Sequence, residues 1–343
     1  MLTVYTTEQA EQWDSIVRSF MNYDVYWLSG YVKAFQIHGD GEPLLIYCEA
    51  GATRGINVVM KRDVYNDERF KDIIPQGLYF DFSTPYGYGG WLVEGTNAEL
   101  IFQCYENWAR ENGIISEFVR FHPMIKNHTL CTNSYDVIQL GEVVHMDLSS
   151  PEEIWNNITS KNRNMIRKGI KNGVVVYNGR FPDIYEKFRE IYNRTMDKDA
   201  AEEYYYFESE FYTSILQDLE DNAQVFWAEK DGKVIAAAIM IGANTYMNYH
   251  LSGSLAETSS LAPGNLILYK AALWGCLNGY RSLYLGGGVG SGADGLFKFK
   301  RSFYKGELNS FYIGKKIFIQ ERYDELLGMR EPTDSGFFPG YRA

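Results

Sequence analysis

The chain has 343 residues, a formal net charge of −11, 45% hydrophobic residues and 16% aromatic residues. That composition excludes a disordered chain and is enough for two cores of about 150 residues each. The acidic balance excludes broad non-specific binding of nucleic acid, DNA included, and leaves room only for a local basic groove.

The first residues, MLTVYTTEQAEQWDS, show no basic stretch followed by an apolar run, so they do not read as an export signal. The best apolar stretch, 234–241, is far shorter than the roughly 20 residues a membrane span requires. No transmembrane segment is expected, and the chain reads as cytoplasmic. Cys48, Cys104, Cys131 and Cys276 are scattered without a CxxC pair, which fits free thiols in a reducing compartment.

In chain order, 44–49 and 57–61 read as strands around a Gly-rich turn. An aromatic strand (78–82), a helix (97–112) and a strand (114–121) follow. The order recurs later. Strands 224–229 and 234–241 flank the turn Lys230-Asp231-Gly232-Lys233, and a strand (245–252), a helix (265–278) and a strand (282–285) come after. Each repeat helix stops at a glycine, Gly113 or Gly279, as a C-terminal cap would require. This architectural repeat predicts two similar α/β domains, with the boundary near 140–150.

Between the repeats, Ser150-Pro151-Glu152-Glu153 supplies a helix cap and start. Ile154, Trp155, Ile158, Met165, Ile166 and Ile170 fill one apolar sector of the helix this predicts. Arg163, Arg167 and Lys171 run along its edge, and 161–171 holds five cations and no acid. Helices are also expected around 185–196 and 208–219.

The segment SLYLGGGVGSGADGLFKFKRSFYK, residues 282–305, carries the strongest chemical signal. A strand runs into Gly286, Gly287, Gly288, Gly290 and Gly292, followed by Lys298, Lys300, Arg301 and Lys305 interleaved with Phe297, Phe299, Phe303 and Tyr304. Gly288 to Ala293 fits GxGxxA. Aromatic and basic residues follow it in place of an apolar helix, however, and too little chain remains for a dinucleotide-binding sheet. Two readings stay open: a solvated loop, or an anion site in which buried phenylalanines fix Lys298, Lys300 or both. The α-helical arginines carry the same pair of readings, a solvated face or a grip on phosphate oxygens.

Five histidines (His38, His122, His128, His145, His250) show no metal spacing, and no metal is expected. His250 lies on a predicted strand, either as a general base or as a hydrogen-bonded core histidine. No GxSxG or cysteine nucleophile context supports covalent catalysis. The aromatic, Gly-rich stretch 81–90 is either a packed turn or the lining of a cleft.

Taken together, Trp155…Arg163-x-x-Ile166-Arg167-Lys168, Tyr192-x-x-Thr195-Met196, Tyr249-His250-Leu251-Ser252-Gly253-Ser254, Leu285-Gly286-Gly287-Gly288 and Phe299-Lys300-x-x-Phe303 resemble the FemABX-type transferases of the GNAT acyltransferase superfamily. The resemblance runs from about 150 to 315, with 81–90 matching in the first domain. It implies an α/β (α+β) protein of two GNAT-like domains, 1–145 and 146–343, each a mixed, mainly antiparallel sheet flanked by helices.

The activity implied is transfer of an acyl or aminoacyl group onto an amine of a cell-envelope precursor of peptidoglycan or glycan type. An acyl-CoA-dependent acetyltransferase acting on a nucleotide-sugar or glycan, and a non-catalytic precursor-binding protein, are the alternatives. By the same resemblance Lys300 lies near the reacting carbonyl, and Arg163, Arg167 and Tyr249 line the substrate cleft. Lys33 matches a diphosphate-binding lysine, and Tyr86 and Lys298 are further candidates for substrate contact. No tightly bound cofactor is implied. The co-substrate is aminoacyl-tRNA or acyl-CoA, so the partners are an anionic, lipid- or nucleotide-linked precursor and, on the first reading, tRNA. The GNAT pyrophosphate loop is replaced before the second repeat helix by Leu261-Ala262-Pro263-Gly264-Asn265, which leaves the donor open.

Overall fold

A computed structural model of the chain describes residues 1–330 and 336–343. It divides into two compact units, Met1–Leu140 with Phe311–Ala343, and Gly141–Ser310. The first holds β1 (Leu2–Tyr5), α1 (Ala10–Arg18), α2 (Ser29–His38), β2 (Glu42–Ala50), β3 (Thr53–Asp63), β4 (Phe80–Ser83), β5 (Leu92–Glu94), α3 (Ala98–Glu111) and β6 (Ile114–Arg120). The chain leaves it within β7 (Asp136–Asp147). The second unit contains α4 (Pro151–Asn157), α5 (Ser160–Lys171), β8 (Val175–Gly179), α6 (Pro182–Asp199), α7 (Ser209–Asp218), β9 (Ala223–Lys230), β10 (Lys233–Ala243), β11 (Tyr246–Ser254), α8 (Pro263–Leu277), β12 (Ser282–Gly286) and α9 (Gly295–Arg301). The chain returns to the first unit within β13 (Asn309–Ile317), and α10 (Gln320–Gly328) follows.

The expected repeat is present and extends further than the sequence suggested. Strand order in the first unit is β1-β2-β3-β4-β6-β13, with β5 on β3; in the second it is β8-β9-β10-β11-β12-β7. Neighbours are antiparallel except for β4/β6 and β11/β12, which are parallel and joined through α3 and α8 respectively. Both helices stop as expected, with Gly113 at φ 70° and Gly279 at φ 88° just past their ends. In the second unit β10 is buried along Ile235 to Ala243, because α6 and α8 both pack on it.

Three expectations change. Residues 311–343, placed with the second domain from sequence, pack with the first unit. The reason is pairing: β13 lies antiparallel to β6, Ile313 opposite Arg120 through Ile317 opposite Ser116. The tail is then clamped by Asp81, which is fully buried. Its carboxylate accepts Arg62 Nε at 2.6 Å, Arg342 Nε at 2.5 Å and the Tyr341 hydroxyl at 3.1 Å.

The helix expected across 151–171 is broken. Ile158 is extended (φ −71°, ψ 134°) and ends α4, and the Thr159 hydroxyl caps α5 by accepting Asn162 N. Ile170, assigned to the apolar sector, is 54% exposed, because the buried face of α5 runs through Asn162, Ile166 and Gly169 and leaves Ile170 outside it. Finally, a helix does follow the glycine cluster. It is the seven-residue α9, started by Asp294, whose carboxylate accepts Phe297 N.

The first unit also buries a polar cluster that the sequence did not reveal. Glu117, on β6 and fully buried, accepts Asn57 Nδ2 (2.7 Å), Tyr105 OH (3.0 Å) and Tyr135 OH (2.7 Å). Burial pushes its carboxyl above the usual range, opposed by those donors. Among the described residues, no helix is long and apolar enough to cross a membrane.

Candidate active site

The parallel strands β11 and β12 pair only from Tyr246/Ser282 to Asn248/Tyr284. Just past that point each strand carries an extra residue against its other neighbour. On β11, Tyr249 faces Met240 while Leu251 faces Ile239, so His250 is the bulge. On β12, Tyr284 faces His145 while Gly286 faces Val144, so Leu285 is the bulge. Bulges raise local twist and end pairing. The carboxyl end of neighbouring parallel strands, where they separate, is where open α/β sheets take ligands.

Lys300 stands at this end. Its Nζ donates to the carbonyl oxygen of Gly287 at 2.7 Å, immediately beyond β12. A Cβ at Gly286 would lie 3.3 Å from that Nζ, and Gly286 has φ 83°, so two independent constraints favour glycine there. Burial pushes the Lys300 ammonium down to about 8, and the nearby Asp294 carboxylate opposes the shift. The lysine is therefore a half-buried group that still carries its charge at pH 7 and loses it as pH rises through about 8.

The glycine cluster has a different role from a phosphate cradle. Its Val289 N–H serves Asp294, whose carboxylate accepts it at 3.0 Å together with Phe297 N of α9 at 2.8 Å. Those N–H groups hold the Asp294 carboxyl below its usual range. A Cβ at Gly288 would meet Gly292 O at 2.1 Å, which is why position 288 tolerates no side chain. Lys298 leaves α9 two residues before Lys300, on another side of the helix, and is exposed.

Tyr249 packs against the apolar core of the second unit, and its hydroxyl donates to Ser252 Oγ at 2.6 Å. Burial raises its phenol above the ordinary range. Burial pushes His250 down to about 3, so its ring is neutral at pH 7. A base that weak captures an amine proton poorly.

Three helices are tied together beside Lys300. Asn265 at the start of α8 donates to Asn162 Oδ1 (2.8 Å), and Asn162 donates to Ser302 Oγ (2.8 Å), just past α9. Thr159 N also donates to Ser302 O at 2.9 Å. Asn162 is 2% exposed, so this chain of amides fixes α5, α8 and α9 relative to one another. Phe299 reaches the same point: a Cβ at Gly264 would stand 4.0 Å from Phe299 Cζ.

Arg163 and Arg167 lie on the next side of α5. Their guanidinium carbons stand 5.9 and 5.1 Å from the Trp155 ring centre. Arg163 also donates to Trp155 O and Ser160 Oγ, both at 3.3 Å, and Arg167 to Asn164 Oδ1 at 3.2 Å. Among the described residues neither pairs with a carboxylate, so both retain donors for an anion.

Lys33 and Tyr86 belong to the first unit. Lys33 is exposed on α2. Tyr86 docks on that helix: its ring stacks on Phe35 at 5.5 Å, and its carbonyl accepts the Tyr31 hydroxyl.

Two features of the first unit were missed from sequence. Arg120, at the end of β6, donates from Nε to Gly87 O at 2.9 Å and lies 5.0 Å from the Phe311 ring centre. Asp24 and His122, both buried, meet at 3.0 Å. Because Ile125 N donates to His122 Nδ1, the ring proton sits on Nε2 and points at Asp24. The partners of that pair are 98 residues apart, and no local pattern links them.

Residues 160–301 match the model of the Acetyltransferase (GNAT) domain family. The second unit carries a GNAT domain. With it the chain is an acyltransferase, and the matched residues include α5, β11, α8, β12 and α9. The fold is similar to that of FemX, whose crystal structure aligns with a TM-score of 0.71 at 13% identity over 95% of this chain and 99% of that one. A conserved protein of unknown function from Bacteroides thetaiotaomicron aligns at 0.62 with 11% identity over 92% and 100% of the two chains. The C-terminal domain of an Agrobacterium fabrum protein, provisionally assigned as a lysylphosphatidylglycerol synthetase, aligns at 0.57 with 18% identity over 90% and 91%. At these identities the likeness is one of fold. No curated protein sequence matches the chain significantly.

Proposed function

We propose that this acyltransferase moves an acyl or aminoacyl group from an activated ester onto an amine of a cell-envelope precursor, with no covalent enzyme intermediate. The observation that carries the reading is the Lys300 ammonium, half-buried and pinned at Gly287 O where β11 and β12 part. The acceptor nitrogen attacks the donor carbonyl carbon, and the C–N bond forms as the carbonyl oxygen takes up negative charge. Lys300 stabilises that oxyanion. Its collapse expels the donor oxygen or sulfur, and the ammonium proton of the new bond leaves to water, because His250 is too weak a base to hold it. Arg163 and Arg167 hold phosphate of the donor or acceptor, and Tyr249 lines the cleft. Lys298, on the outer side of α9, contributes to precursor binding, and Lys33 and Tyr86 are candidate precursor contacts within the first unit.

The resemblance to FemABX-type proteins favours aminoacyl-tRNA as donor and a peptidoglycan-type acceptor, and the likeness to FemX agrees with it in fold. The GNAT match favours a second reading, acyl-CoA as donor, even though the pyrophosphate loop of that family is replaced before α8 by residues 261–265. A direct test offers aminoacyl-tRNA or acyl-CoA with UDP-linked and lipid-linked muropeptides and follows acceptor mass. A mass gain from aminoacyl-tRNA supports the first reading. A gain from acyl-CoA, with a thermal shift on coenzyme A alone, supports the second. Unchanged turnover in Lys300→Ala would sink the role given to the lysine.

A further inference from the structure

Lys300 is one of four cations in the acid-free stretch between Gly295 and Gly306, yet its surroundings are organised by the acid just before that stretch. The Asp294 carboxylate does two things at once. It caps α9 through Phe297 N and closes the turn behind it through Val289 N, at 2.8 and 3.0 Å. Gly288 packs against it so closely that a Cβ there would lie 2.5 Å from Asp294 Oδ1. The residues so stapled, 288–297, join the carbonyl that Lys300 contacts to the helix from which Lys300 projects. Gly287 O and Lys300 Nζ are therefore held 2.7 Å apart by a turn whose centre is one carboxylate.

We propose that Asp294 is the positioning residue for Lys300: it fixes the Gly287 carbonyl against the lysine and supplies the counter-charge for an ammonium buried beside β12. Other groups around the ammonium do not substitute for it. From β12 the titratable neighbour is the Tyr284 phenol, whose ring, like Lys300 Nζ, lies against Gly286. From β7, Glu142 packs against Gly287 with its backbone carbonyl, and on β11 His250 is neutral at pH 7. Lys298 faces solvent, and Arg301 spends its guanidinium on the carbonyls of Tyr304, Lys305 and Gly306. Asp294 is the carboxylate that raises Lys300 against its burial.

The consequence for rate rests on the catalytic role proposed for Lys300, while the positioning itself can be read without turnover. Trace acetylation of the full chain with acetic anhydride across pH 6 to 11, read by peptide mass spectrometry, gives the titration midpoint of Lys300 with Lys298 as the exposed reference. Asp294→Asn keeps an oxygen to cap α9 and removes the charge. Its Lys300 midpoint is expected to fall by about half a unit or more below the wild-type value. Asp294→Ala removes both, and the released lysine is expected to titrate with Lys298. An unchanged midpoint in both variants, or an upward shift in Asp294→Asn, overturns the proposal. In a transfer assay the alkaline limb of the kcat profile should move down with the Asp294→Asn midpoint. If Lys300→Ala keeps full turnover the catalytic role fails, and the labelling result still decides the role of Asp294.

Discussion

The two units share one strand order, yet treat the end of the parallel pair in opposite ways. In the first unit the chain leaving β4 folds back over the gap. Thr84 N donates to Phe118 O, Gly89 N to Arg120 O, and Arg120 N to Thr84 Oγ1, while Gly89 bridges Phe121. The opening between β4 and β6 is sealed by its own backbone, with Arg120 held at Gly87. In the second unit bulges at His250 and Leu285 part the strands, and a lysine that titrates at about 8 stands at the mouth. The same topology thus gives a closed end whose buried charges serve stability, and an open end whose charge is available for chemistry. Fold alone does not say which copy reacts; the assignment proposed for Lys300 rests on how the two strand ends differ in their hydrogen bonds.

That contrast can be broken most directly at the two strand-end cations. Lys300→Ala is expected to lower turnover on the order of 10²- to 10³-fold, with Arg120→Ala changing it only a few-fold. Equal losses in the two variants, measured in one transfer assay, would erase the distinction.

The next effect tests the structural role of buried charge in the first unit. Glu117→Ala leaves the hydrogen-bonding groups of Asn57, Tyr105 and Tyr135 without their acceptor, and is expected to destabilise the chain by about 3–5 kcal/mol in denaturant unfolding. A loss below about 1 kcal/mol would mean that water replaces the carboxylate freely.

Lys300→Met should do the reverse and stabilise the protein while abolishing transfer. The lysine titrates at about 8 when folded against an ordinary value near 10.5. The folded state therefore carries a penalty that is fully present below pH 8 and disappears as pH rises from 8 to 10.5. Discounted for partial solvation, the gain is about 2 kcal/mol at pH 7. Thermal melts at pH 7 and pH 10 should show it shrink; a gain that grows with pH contradicts the assigned shift.

The smallest effect concerns the arginines. Arg167→Ala is expected to raise the KM for the phosphate-bearing substrate about tenfold with kcat nearly unchanged, and Arg167→Lys less, because lysine loses the planar fork.

Much of this was legible from the chain because it is local. Period-two strands, the Gly113 and Gly279 stops and the Ser150 cap are short-range signals, and the structure matches each of them. The spacing of Phe299 and Phe303 pointed to Lys298, Lys300 or both, and the choice of Lys300 came from the family resemblance. What stayed hidden depends on pairs distant in sequence. Nothing in Asn57, Tyr105, Glu117 or Tyr135 singly announces one cluster, and nothing in 309–317 distinguishes a partner in β6 from one in β12. The α4–α5 break was missed for another reason: Ile158 suits a helix by type, and the competing Thr159 cap is the stronger instruction.

The late position of β13 has a consequence for how the protein is made. The first 140 residues leave the ribosome with β6 as an open edge, and the strand that covers it is synthesised only after the whole second unit. An open edge is a template for stray pairing. The second unit, which has all six of its strands by Gly286, can settle first. The N-terminal half of the polypeptide is therefore the last part to be completed, and a ribosome that stops near residue 310 releases a chain whose GNAT domain is whole but whose first sheet still lacks its final strand.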